Sequence, residues 1–170
     1  KDAISYKINK KKDKVNFSVS LNIRDNPIIL NFLNYEKEKN KEAVLKFKGT
    51  KKKDQLLINS LLLQEGNNLM QIRNLVLDKK SKIRNFTQLK LDYTDKINKK
   101  NVVTLNKMNN EYFLKSPFFN GSVLIDELLI DEFEDSSIFN INNRINIDID
   151  EFYIDDIYSI KNFSGSLFLT

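Results

Sequence analysis

Carboxylates are the groups in this sequence with the strongest claim to chemistry. Asp126, Glu127, Asp131 and Glu132 punctuate an apolar stretch, and Asp148, Asp150, Asp155 and Asp156 follow. Paired carboxylates can cleave a glycosidic bond when one sits in a pocket that raises its pKa. The surroundings here suggest no such pocket. Asp148 and Asp150 alternate with Ile147 and Ile149, which fits a strand with one wet face. A calcium loop wants an Asp-x-Asp-x-Asp-Gly run, and this stretch has no glycine. The chain has no His, so it lacks the usual general base near neutral pH and the commonest zinc ligand. It has no Cys, which removes thiol nucleophiles, thiolate metal sites and disulfides. There is no glycine-rich phosphate loop and no dinucleotide fingerprint. The expectation is a non-enzyme with no catalytic residue, no metal and no cofactor.

The elements that would carry these residues read as strands. The chain has 170 residues, 41% of them hydrophobic and 30% charged, which is too apolar for wholesale disorder. Ile, Leu, Phe, Val and Tyr dominate the apolar set, and these types suit a pleated sheet. Only 4 Gly and 2 Pro are available for turns. Asn, Asp and Lys must therefore fill most turn positions, because Asn and Asp tolerate the left-handed conformation.

Alternation recurs along the chain. Ile4, Tyr6 and Ile8 begin it, and Phe17, Val19, Leu21 and Ile23 continue it beyond a turn at 10–14. Pro27 opens an apolar run over 28–33, and 36–42 reads as a loop. Strands follow at 44–48 and 56–63, the latter interrupted by Asn59 and Ser60. The clearest turn signal is Glu65-Gly66-Asn67-Asn68. Later strands centre on Leu75 and Leu77, on Leu89 and Leu91, on Val103 and Leu105, and on Tyr112. The segment 122–133 differs. Its apolar residues at 124, 125, 128, 129 and 133 approximate helical spacing, with Ser122 as N-cap. It predicts a short amphipathic helix plugged against the sheet. Strands resume at Ile145, Ile147 and Ile149 and close with Leu167 and Leu169. Strand–turn units at roughly 10 to 15 residues suit a sandwich, a barrel or an extended meander.

Charge is segregated. The net charge is +5, yet from Gly121 onward Asp126, Glu127, Asp131, Glu132, Glu134, Asp135, Asp148, Asp150, Glu151, Asp155 and Asp156 face only Arg144 and Lys161. The upstream part is basic, with Lys runs at 10–12 and 51–53 placed where hairpin tips belong. These runs read as solvated turns. Phe17, Phe47, Phe86 and Phe163 sit in apolar alternation and not in a base-stacking motif, so no nucleic-acid partner is expected. No run of about 18 apolar residues offers a membrane-spanning helix. The chain starts at Lys1 and reads as an internal segment of a longer protein, with any anchor outside it.

Three stretches resemble one family. VLKFKG at 44–49 followed by 56–63 resembles its recurring strand pairs. FLKSPFFNGSVLIDELL at 113–129 resembles its step from strand through glycine to a short Asp-containing helix. INIDIDEFYI at 145–154 with Leu167, Phe168 and Leu169 resembles its strand meander. Together they resemble the AsmA-like superfamily, nearest to the YhdP-type domain of bacterial envelope proteins. The resemblance implies a long twisted antiparallel meander curled into a groove, with the one short helix near 122–133. On that reading residues 1–170 are a single segment of a longer groove domain: a basic meander over 1–120, a helix over 121–135 and an acidic meander over 140–170. It further implies a periplasmic bridge-like carrier, tethered to the inner membrane through sequence outside this segment. Its partners would be phospholipid acyl chains and other envelope proteins.

Alternation sends one side of every strand to one face, and a continuous apolar face must be covered or used. The inward candidates are Phe17, Val19, Leu21, Leu45, Phe47, Leu61, Leu63, Leu75, Leu77, Leu89, Leu91, Val103, Leu105, Ile145, Ile147, Ile149, Leu167 and Leu169. They would line a lipid groove. The alternative is that they meet only one another in a closed dry core of a structural, protein-binding β-domain.

Overall fold

The computed structural model describes residues 1–53, 55–123, 143–155 and 157–169. Thirteen strands follow in chain order: β1 (Ala3–Lys11), β2 (Lys14–Ile23), β3 (Ile28–Leu30), β4 (Tyr35–Lys37), β5 (Ala43–Lys52), β6 (Gln55–Glu65), β7 (Asn68–Leu77), β8 (Ile83–Asn85), β9 (Gln88–Thr94), β10 (Lys100–Met108), β11 (Glu111–Asn120), β12 (Asn143–Tyr153) and β13 (Ser159–Leu169). A single 3-10 turn, Asn31–Leu33, joins β3 to β4.

Ten of the strands lie side by side in the order β1-β2-β5-β6-β7-β9-β10-β11-β12-β13. The short β8 pairs with β7 as the eleventh strand of that sheet, and β3 with β4 forms a separate two-stranded ribbon. β1 and β13 are the two edges, and the sheet does not close on itself. The chain is thus mainly β, as its composition predicts.

The strands form where β-branched and aromatic residues alternate with polar ones. Asn accepts a left-handed backbone at several of the turns between them and at the extra residues within β7 and β13. Ten described residues have positive φ, and seven of them are Asn: 34, 40, 74, 98, 109, 110 and 162. Gly66 is the one glycine among the ten. Asn here takes the role that glycine fills in most turn-rich sheets.

Two expectations need correction or restriction. The sheet is not a pure antiparallel meander, because β11 and β12 run parallel, with Tyr112 beside Ile145 and Leu114 beside Ile147. A parallel joint needs a crossover of a dozen or more residues, and 121–142 supplies that length. Strand patterning alone carries no record of direction, so the sequence reading missed the joint. Of the helix predicted over 122–133, only Ser122 and Val123 are described residues, and the rest lies outside them. Among the described residues there is no complete α-helix, and no helix long and apolar enough to cross a membrane.

The register builds an apolar face row by row, because cross-strand partners point to the same side. One row runs Tyr6, Val19, Phe47, Leu61, Ile72, Leu89, Leu105, Leu114, Ile147 and Gly165, one residue from each of ten strands. A second, flanking it, runs Ile4, Leu21, Leu45, Leu63, Met70, Leu91 and Val103, and is resumed by Ser116, Ile149 and Phe163. On the other flank stand Ile8, Phe17, Gly49, Ile58 and Leu75. Matched extra residues keep this face continuous. Two residues instead of one separate Ile58 from Leu61 on β6, and Ile72 from Leu75 on β7, where Asn74 has φ +51°. The same device separates Ile149 from Phe152 and Ile160 from Phe163, with Asn162 at φ +55°.

Candidate functional site

Two loop inserts close over opposite margins of the apolar face. The first, between β2 and β5, carries β3, the 3-10 turn and β4. Its Ile28, Leu30, Leu33 and Tyr35 pack on a cluster that includes Leu63, Met70, Leu91, Tyr93, Val103, Phe119 and Ile149. Tyr35 and Tyr93 meet edge to face at 5.8 Å between ring centroids. The Tyr93 hydroxyl donates to the Leu33 carbonyl at 2.9 Å, and the Tyr35 hydroxyl donates to Glu65 Oε2 at 2.8 Å. Burial pushes both phenols well above the ordinary tyrosine range, and the neighbouring carboxylates Glu65 and Asp95 add to this. Lys37, fully buried, donates to the carbonyls of Arg24 and Asn26 at 2.9 and 2.5 Å. Asp2 binds the same loop through the backbone N–H groups of Arg24 and Asp25, which hold its carboxyl below the usual range.

The second insert, between β7 and β9, carries β8. Its Phe86 is buried against Tyr112, Ile58, Leu75 and Leu105. The Tyr112 hydroxyl donates within reach of the Phe86 carbonyl and Asn85 Oδ1, both at 3.1 Å, and accepts from the Phe86 N–H at 3.2 Å. Each margin is therefore clamped by a buried tyrosine hydroxyl.

Between the two margins the central row stays partly open. Val19, Phe47, Leu61, Ile72, Leu89, Leu114 and Ile147 are half-buried, Leu105 is buried, and Tyr6 at the edge is 68% exposed. Nine inter-strand steps at about 4.8 Å give this row a length of about 43 Å. The opposite face is mostly polar, with Ser20, Lys46, Gln71, Lys90, Thr104, Lys115 and Asp148 at matching register positions and Leu62 of β6 as the apolar member of that row.

The eighteen inward candidates divide by burial. Leu169 apart, they stand on this one face by register or strand parity. Leu63, Leu75, Leu91, Val103, Leu105 and Ile149 are buried and belong to the packed core. Phe17, Val19, Leu21, Leu45, Phe47, Leu61, Leu77, Leu89, Ile145 and Ile147 are half-buried. Leu167 is 44% exposed beside Ile145, and Leu169 stands opposite Asn143. The sequence reading missed Ile58, Met70, Ile72 and Leu114, which complete the rows. Met70 and Ile72 flank Gln71, but Leu69 beside them is apolar too, which blurs the side each residue faces in so short a stretch. Ile58 is displaced by the extra residue at Asn59.

The carboxylates are dispersed. Asp148 faces Lys115 at 3.9 Å on the polar side. Glu151 accepts from the Ser159 hydroxyl at 3.0 Å. Asp155 closes the β12–β13 turn by accepting from the N–H groups of Ile157 and Tyr158 at 2.7 and 2.6 Å, which lowers its pKa. Asp126, Glu127, Asp131, Glu132 and Asp156 lie outside the described residues. Among the described residues no three His, Cys, Asp or Glu side chains gather where they could hold a metal ion. No protein-family model matches the chain, and neither the curated proteins nor the solved structures contain a match.

Proposed function

We propose that this chain is a non-enzymatic, lipid-handling segment of an AsmA-like envelope protein. Its apolar face forms a groove that holds phospholipid acyl chains in transit between inner and outer membranes. The observation that carries this reading is the central row: one apolar side chain from each of nine consecutive strands, half-buried along most of its length. An acyl chain laid across the strands along this row would be shielded by the two clamped inserts. One leaflet of a bilayer is about 15 Å of hydrocarbon, so an apolar row of about 38 Å from Tyr6 to Ile147 is long enough for more than one tail end to end. Burial of each tail is favourable by roughly 25 cal/mol per Å² of apolar surface. On this reading the protein works in the periplasm, anchored to the inner membrane by sequence outside this segment, and uses no cofactor or metal.

A second reading is a structural β-domain that binds other proteins and no lipid. The burial of Leu63, Leu75, Leu91, Val103, Leu105 and Ile149 favours it, because these residues pack into two clusters together with the inserts and with half-buried strand residues such as Leu45, Leu61, Leu89 and Ile147. Native mass spectrometry followed by lipid extraction separates the two. Phospholipid that co-purifies with the wild type, and is lost in folded Leu61→Asp and Ile147→Asp variants, supports the groove. A lipid-free mass from the stably folded wild type assigns the chain to the second reading.

A further inference from the structure

Among the described residues a concavity lies on the polar side of the sheet, away from the apolar row. It is an open cleft of about 540 Å³ lined by Lys7, Asn9, Asn16, Phe17, Ser18, Lys48, Gly49, Thr50 and Asn59. Its floor follows from the register. Lys7, Ser18 and Lys48 stand in one cross-strand row of β1, β2 and β5, and Asn9, Asn16 and Thr50 stand in the next. The cleft lies where the β5–β6 register shifts between Lys48 and Gly49, leaving Asn59 as the extra residue on β6. An irregularity of this kind bends the bulged strand and re-aims its side chains.

The chemistry of the lining is one-sided. Two ammonium groups stand on either side of Ser18, two strands apart, which is about 10 Å between their Cα atoms. No carboxylate contributes to the lining. Among the described residues neither Lys7 nor Lys48 forms an ion pair, although Lys115, Lys100, Lys96 and Lys41 do. The remaining polar groups are neutral hydroxyls and amides. Thr50 Oγ1 donates to Asn16 Oδ1 at 2.8 Å, so the Asn16 oxygen is engaged and its amide nitrogen is the group left to donate. This set matches a group that carries about two negative charges and several strong acceptor oxygens. A phosphate monoester carries ≈ −1.5 to −2 at pH 7 with three such oxygens. Lysine serves phosphate as a point charge, and the hydroxyl and amide donors satisfy the remaining lone pairs.

We propose that this cleft is an oxyanion site for a phosphate group, bound between Lys7 and Lys48 and hydrogen-bonded by Asn9, Asn16, Ser18 and Asn59. It is independent of the apolar row and stands whether or not that row carries lipid. The phosphate is either free or the monoester headgroup of a phosphatidic acid, and the same site chemistry serves both.

The test is a 1H–15N NMR titration of the whole chain with inorganic phosphate, against chloride at matched ionic strength. The expected result is saturable shifts confined to Asn9, Asn16, Ser18, Thr50 and Asn59. The Lys7→Gln/Lys48→Gln double variant, with its fold checked by circular dichroism, should bind at least tenfold more weakly. Lys90→Gln, on the same face but outside the cleft, should bind as the wild type does. Glycerol 3-phosphate, a phosphate monoester and the soluble headgroup of phosphatidic acid, is titrated in parallel. Tighter binding of the headgroup by tenfold or more assigns the site to lipid, equal binding assigns it to free phosphate, and either upholds the site. The proposal is overturned if shifts spread evenly over Lys46, Arg73 and Lys90, or if Lys90→Gln weakens binding as much as the double variant. Absence of shifts with both ligands overturns it equally.

Discussion

The side-chain amide of Asn120 donates to the Asp95 carboxylate at 2.7 Å, tying the last residue of β11 to the turn between β9 and β10. Asp95 is 5% exposed and also accepts from the backbone N–H groups of Ile97 and Lys99 at 3.1 and 2.8 Å and from Asn101 Nδ2 at 3.3 Å. Asn101 Oδ1 in turn accepts from the Asn120 N–H at 2.7 Å. An Asp95→Asn substitution would set a new amide against two existing amide donors, leaving buried groups unpaired. We expect it to cost about 2–3 kcal/mol in urea unfolding. A loss below about 0.5 kcal/mol would show that the network adds little.

Alkaline pH should loosen both inserts. Tyr35, Tyr93 and Tyr112 have pKa values raised by burial, so the folded state holds their protons more tightly than the unfolded chain does. The stabilisation they give is complete below the unfolded value near 10 and is lost as pH rises above it. Each fully shifted tyrosine adds up to about 1.4 kcal/mol of loss per pH unit in that window. Tyr93→Phe should flatten the slope of stability above pH 10. It should also lower stability at pH 7 by about 1 kcal/mol, through the lost bond to Leu33. An unchanged alkaline slope would place the linked proton elsewhere.

Much of the sheet was legible in the sequence, for a reason visible at particular residues. Phe17, Val19 and Leu21 alternate, and so do Ile145, Ile147 and Ile149, so their shared side follows from a period of two. Where two residues intervene, as between Leu61 and Ile58, the period breaks and the side is lost to inspection. Hydrogen-bond direction leaves no mark on side-chain pattern, which is why the parallel pairing of Leu114 with Ile147 was invisible. The margins were equally hidden. Tyr35, Phe86 and Tyr112 owe their burial to contacts between inserts and strands distant in sequence. Lys7 and Lys48 gave no signal at all, since only the register brings them around Ser18.

Gly49 should tolerate no side chain. A Cβ there would collide with the Leu57 carbonyl oxygen and stand 2.8 Å from Phe17 Cζ. The oxygen belongs to the backbone and cannot swing aside. We expect Gly49→Ala to cost about 1–3 kcal/mol by thermal or urea unfolding. A neutral result would mean that β5 and β6 separate readily at their register shift.

The β1 edge should drive self-association. Ile4, Tyr6 and Ile8 are 64%, 68% and 61% exposed, on a strand whose outer backbone groups are unpaired within the sheet. Long apolar edges template further pairing, and charge on them suppresses it. Replacing Tyr6 and Ile8 with Lys should lower the concentration-dependent association seen in sedimentation velocity while leaving the unfolding midpoint nearly unchanged. Equal association in wild type and variant would exclude this edge as the cause.

The parallel joint between β11 and β12 also divides the chain in time. From β1 to β11 each strand of the main sheet joins its neighbour through a turn or a local insert, so the meander can zip from any hairpin outward. The β12–β13 hairpin can close through its own turn but must find β11 across the connection 121–142, a loop-closure cost comparable to that of the insert between β2 and β5. The last two strands are thus a hairpin that can form by itself and then dock on β11, where Ile149 completes the buried core.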